Sequence, residues 1–119
     1  MAYYLGVLSE KEGQFQNAVK FFKRFFFCAR MLDDPVGASL ALNRVGVAYY
    51  KSNRVEKSLR FHSKHCEFTD QENAFAAYYN IGMCHKTLGE LEQATLYFSR
   101  ALEWAQVRED FSSECITHG

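Results

Sequence analysis

The densest group of reactive side chains in this sequence is His62-Ser63-Lys64-His65-Cys66. His62 and Cys66 stand four residues apart and share a helical face with His65, a spacing that a zinc ion can use. His85 is a candidate to join them from a neighbouring segment. No Cys-x-x-Cys pair completes a four-ligand set, so packed or hydrogen-bonded histidines are the simpler expectation, with no metal and no other cofactor. Cys84 and His85 are adjacent, and on a helix they diverge by about 100°, a poor arrangement for a nucleophile and its base. Glu10 with Glu12, and Glu90 with Glu92, are carboxylate pairs beside expected helix ends, where solvation accounts for them. GxxxxGK[ST], GxSxG, HExxH and GxGxxG patterns are all absent. The expectation is a protein that is not an enzyme, with a metal- or thiol-dependent enzyme as the alternative that metal analysis would address.

A second cluster is Phe21-Phe22-Lys23-Arg24-Phe25-Phe26-Phe27. On a helix, five phenylalanines in seven residues spread beyond one stripe, so some face neighbouring segments and the rest await a cover. Interleaved aromatics and cations suit RNA stacking, but no nucleic-acid motif accompanies them.

The 119 residues suffice for one modest core, and 14 Lys and Arg balance 14 Asp and Glu. A dedicated nucleic-acid binder carries a basic excess, so no nucleic-acid partner is expected. No apolar run approaches the ~20 residues needed to span a bilayer, and no leader is visible, so a cytoplasmic protein without membrane insertion is expected. Cys28, Cys66, Cys84 and Cys115 form no paired motif and read as free thiols. The neutral balance hides a polarity. Residues 1–60 carry ten Lys and Arg against five Asp and Glu, and residues 61–119 carry four against nine. Such charges solvate exposed helix faces, or let a basic end meet an acidic one or a charged partner.

What would position these groups is written in the glycines. Gly6, Gly46, Gly82 and Gly119 stand 40, 36 and 37 residues apart. Seven residues after the first three come Gly13, Asn53 and Gly89, and twelve after come Ala18, Ser58 and Ala94. A period of this length with fixed small positions signals a helical repeat. Gly6, Gly46 and Gly82 lie inside amphipathic stretches, where glycine costs about 1 kcal/mol of helix propensity. That recurrent cost implies a close helix crossing, with Ala18, Ser58 and Ala94 as the matching small surface. Gly13, Asn53 and Gly89 suit the left-handed conformation that ends a helix. Asp34 before Pro35 reads as an N-cap with proline at the first helical position, and Asp70 stands at the same offset before its glycine. Helices are therefore expected near 2–11, 14–32, 36–52, 54–69, 71–88 and 91–108, with a truncated seventh starting near Asp110.

These residues resemble tetratricopeptide repeats. Tyr78, Ile81, Gly82, Gly89, Leu91, Ala94, Phe98 and Ala101 fall on that family's aromatic, large and small positions, and His85 stands where tyrosine is usual. Ala2, Leu5, Gly6, Gly13, Phe15, Ala18 and Phe22 match in the first repeat, where Phe25 replaces the usual alanine. Leu42, Val45, Gly46, Tyr49 and Val55 match in the second, where Ser58, His62 and His65 depart. The long spacing is similar to Leu-Gly-Asn repeat proteins, kinesin light chains and tetratricopeptide repeat proteins of ciliary axonemes.

The resemblance implies an all-α fold: a right-handed α-solenoid of antiparallel helix pairs. Repeats would span 1–34, 35–69 and 70–108, with the start of a fourth at 109–119 and the whole part of a longer array. It also implies a concave groove lined by first helices: Tyr3, Tyr4 and Val7; Leu40, Asn43, Arg44 and Val47; Ala76, Tyr79, Asn80 and Met83. The family's carboxylate clamp is not expected, because Tyr3 and Val7, or Asn43 and Val47, occupy its first pair of positions. Arg44 and Asn80, each two residues before a glycine, are expected to stand open in the groove. The implied function is a scaffold binding a peptide or helical segment of another protein, with Arg44 placed to anchor an acidic side chain of it. The alternative is a structural component of a cytoskeletal or ciliary axonemal assembly.

Overall fold

The computed structural model describes the backbone of residues 2–68 and 74–118, and the side chains of 2–67 and 74–106. Six α-helices follow in order: α1 Ala2–Lys11, α2 Phe15–Met31, α3 Pro35–Lys51, α4 Val55–Phe68, α5 Ala74–Thr87 and α6 Leu91–His118. Asp70, expected to cap the fifth helix, lies outside the described residues.

Four of the helix junctions share one hydrogen-bond pattern. Gly13, Asp33, Asn53 and Gly89 have φ of +78°, +53°, +65° and +80°. Each donates its N–H to the carbonyl three residues back, as from Asn53 to Tyr50 at 3.1 Å. The next residue donates five back, as from Arg54 to Tyr49 at 2.8 Å. This double closure satisfies carbonyls that a helix end otherwise leaves orphaned. Asp34 caps α3 by accepting from Gly37 N at 3.0 Å, with Pro35 at the first helical position.

Each helix packs on the next along the chain, and among the first helices α3 also touches α5. The radius of gyration is 15.7 Å and the extents are 46 × 37 × 24 Å. A compact domain of this length would have a radius near 13 Å, so the helix pairs are stacked in a row. The core of the first three helices is Ala18, Val19, Phe22, Val45, Ala48 and Tyr49, edged by Tyr3, Val7 and Phe61.

The helix crossings differ from the small-on-small expectation. What covers Gly6, Gly46 and Gly82 is a ring sixteen residues on, not the small residue at twelve. A Cβ on these glycines would fall 2.6 Å from Phe22, 2.6 Å from His62 and 2.7 Å from Phe98. Helical side chains lean toward the N-terminus and cover the turn before their own Cα. The ring of Phe98 therefore lies over the turn of Ala94, whose small side chain leaves it room. Ala18, Ser58 and Ala94 are buried as expected.

A second expectation also changes. α6 runs unbroken to His118, so no new helix starts near Asp110 and no helix break marks a fourth repeat at 109. Residues 103–118 contain no glycine or proline, and an aspartate without a preceding breaker does not interrupt a helix.

Candidate partner-binding groove

The first helix of each pair, α1, α3 and α5, is stitched to the next by contacts at repeating offsets. Three residues before its glycine, one helix offers a side chain to the residue two before the next glycine. Thus the Arg44 guanidinium lies 5.7 Å from the centre of the Tyr3 ring. At the equivalent place Asn80 Nδ2 donates to Asn43 Oδ1 at 3.0 Å. Four residues after its glycine, one helix meets the residue five after the next. Lys51 Nζ donates to Glu10 Oε1 at 2.7 Å, and the Tyr50 and Thr87 hydroxyls share a 2.8 Å hydrogen bond. Two rungs per step hold the first helices in register.

This ladder corrects the expectation that Arg44 and Asn80 stand fully open. Both are half-buried, and each engages the preceding first helix. A rotation of about 200° from the glycine does turn them away from the second helix. It turns them toward the preceding repeat, which the arithmetic of one helix does not include. Tyr3 packs on Phe22 and Phe25, with ring centres 5.9 and 5.3 Å apart, and Val7 packs on the same core. Tyr4 and Tyr79 are exposed, whereas Asn43, Val47, Ala76 and Met83 are half-buried. Tyr79 stacks on Phe75 at 6.1 Å and meets Phe98 at 5.7 Å, forming an aromatic rim at the α5 end. The ladder itself was missed in the sequence. Its signal was there, since the paired residues sit at constant offsets from Gly6, Gly46 and Gly82.

The histidine cluster belongs to packing. His62 and His65 are buried, and burial holds both well below the usual imidazole value, at about 4, with His65 further lowering His62. The Nδ1 atoms of both lack hydrogen-bond partners. Ser58 Oγ donates to Gly46 O at 2.6 Å and accepts from Cys84 Sγ at 3.4 Å. Burial pushes the Cys84 and Cys66 thiols up, against smaller opposing effects of Ser58 on Cys84 and Tyr78 on Cys66. His85 stacks on Tyr97 at 5.6 Å and 13°, as an aromatic at that place would. Among the described residues, no three His, Cys, Asp or Glu side chains gather to hold a metal ion. Nor, among them, is any helix long and apolar enough to cross a membrane.

Helix hairpins stacked in a row, with consecutive first helices in contact, define a helical-repeat protein. Residues 75–107 match the tetratricopeptide repeat family model. The fold is similar to the TPR domain of Arabidopsis FLU, with a TM-score of 0.81 at 20% identity over 89% of this chain and 92% of that one. It is also similar to BtubC (BKLC) from P. vanneervenii, with a TM-score of 0.83 at 17% identity over 91% of this chain. This chain spans 46% of that protein. MamA matches with a TM-score of 0.52 at 20% identity, over 92% and 79% of the two chains. No curated protein matches the sequence. The fold is thus the tetratricopeptide repeat fold, and its third hairpin carries the family's sequence pattern. Tetratricopeptide repeats generally mediate protein–protein interaction and are typically non-enzymatic scaffolds.

Proposed function

We propose that the chain is a protein-interaction module whose inner surface, made by α1, α3 and α5, holds a peptide or helical segment of a partner protein. The observation that carries this reading is the Asn43–Asn80 pair. Each amide spends one group on the other, so Asn43 keeps its NH2 and Asn80 keeps its carbonyl. One donor and one acceptor side by side match the N–H and C=O of an extended peptide. Arg44 lies beside them with its guanidinium 5.7 Å from the centre of the Tyr3 ring, and its N–H groups are suited to a carboxylate. Val47, Met83 and Tyr79 add adaptable apolar contact.

The test begins with peptides selected from a random displayed library on the purified chain. They are then titrated against Arg44→Ala, Asn43→Ala and Asn80→Ala. Loss of the charge-assisted contact at Arg44 should weaken binding by ~1.5–3 kcal/mol, and loss of a neutral amide contact by about 1 kcal/mol. Melting temperatures should fall by only a few degrees, because each variant also loses one rung worth about 1 kcal/mol, so binding is read well below the transition. Peptides that bind all three variants as tightly as the parent would overturn the groove. A chain that no linear segment saturates would fit a structural assembly component instead.

A further inference from the structure

The seam between α2 and α4 presents a different surface. Beside it a cleft of about 220 Å³ opens between α2, the end of α3 and the turn into α4, with Phe15, Val19 and Tyr49 as its apolar lining and Lys20, Lys23 and Arg54 around it. Beyond the cleft the Tyr49 and Phe61 rings pack 5.5 Å apart. Lys23 Nζ stands 5.6 Å from the centre of Tyr49 and 5.4 Å from that of Phe61. Lys57 Nζ lies 5.7 Å from Tyr49, and Lys64 Nζ lies 5.7 Å from Phe61. Three ammonium groups therefore crowd two rings. Among the described residues, none of these lysines and no Arg54 forms an ion pair with a carboxylate, in contrast to Lys51 on Glu10.

We infer that this seam docks an acidic peptide segment carrying one aromatic or large apolar side chain. The ring faces attract the ammonium groups and hold them together despite their mutual repulsion. That leaves a concentrated positive potential above an apolar floor, where a carboxylate is bound more strongly than in open water. The apolar side chain would enter the cleft over Val19 and Tyr49, while flanking carboxylates meet Lys20, Lys23, Arg54 and Lys57. A long polyanion fits less well, because cations are outnumbered four to nine over residues 61–119. Tyr49 lies five residues beyond Arg44, about 140° around α3, so the seam and the inner groove face different sides. The inference does not rest on the groove reading.

The test is fluorescence anisotropy of a dye-labelled peptide in which glutamates flank a single phenylalanine, added to the full chain. Saturable binding is expected, weakening with salt, and lost in a peptide with glutamine for glutamate. Lys20→Glu and Lys57→Glu change exposed side chains and should each weaken binding roughly tenfold or more, about 1.4 kcal/mol, with helix content by circular dichroism unchanged. Lys86→Glu on α5 and Asn80→Ala should leave it unaltered. Equal binding by both charge-reversed variants, or by the glutamine peptide, overturns the inference. So does preferential binding to phosphatidylserine vesicles or to single-stranded RNA.

Discussion

At position 62 a histidine ring occupies the place that Phe22 and Phe98 fill in the neighbouring hairpins, and burial sets its acid–base behaviour. His62 and His65 drop from 6.5 to about 4 on folding, chiefly by desolvation. The unfolded chain therefore takes up protons before the folded one does. Their neutral packing is fully available above about pH 6.5, and stability is lost as pH falls from there toward 4, because unfolding then takes up protons on both imidazoles. Urea unfolding at a series of pH values should show this slope, and His62→Phe should reduce it to the His65 share while leaving neutral-pH stability nearly unchanged. An equal slope in that variant would assign the acid loss elsewhere. The sequence already placed His62 at a packing position, because it stands sixteen residues after Gly46. The constant offsets of Asn43 and Asn80 from Gly46 and Gly82 were visible, but that the two side chains meet depends on how far one hairpin is turned against the next.

Among the elements, the turns were the most readable part of the sequence. Gly13, Asn53 and Gly89 recur at one offset and all have positive φ. A Cβ at Gly89 would meet nothing within 4 Å, so its requirement is the backbone conformation alone. Gly89→Ala should then cost ~1–2 kcal/mol, whereas Gly89→Asn should cost less, given Asn53 at the same offset. Gly82 has the opposite requirement, because a side chain there meets the Phe98 ring at 2.7 Å. Gly82→Leu should cost at least ~1–3 kcal/mol through overpacking. Denaturant midpoints for the three variants check the order, and a Gly82→Leu protein with unaltered stability would refute the crossing. Asp33 was not foreseen, since it also enters the left-handed region, which aspartate tolerates better than most residues. The unbroken α6 was likewise missed, because one aspartate was weighed without the breaker that an interruption needs.

Over the whole molecule, the repeat period dictated a row of helix pairs, and the extended dimensions follow from that. Period alone does not say which side chains of a first helix remain for a partner. Four contacts at two repeating offsets decide that, by joining Tyr3 to Arg44, Asn43 to Asn80, Glu10 to Lys51 and Tyr50 to Thr87. The charge polarity, legible in the sequence, acquires a place in the structure at the basic seam of α2 and α4. In the proposed function, a peptide is held on the first helices through the Asn43–Asn80 pair. Nitrogen–proton correlation spectra of the labelled chain, titrated with a library-selected peptide, test it directly through the side-chain amide signals. Those of Asn43 and Asn80 should shift together and saturate with one midpoint, while those of Asn17 and Asn53, which lie outside the groove, stay in place. Shifts at Asn17 or Asn53 with Asn43 and Asn80 unmoved would contradict the account.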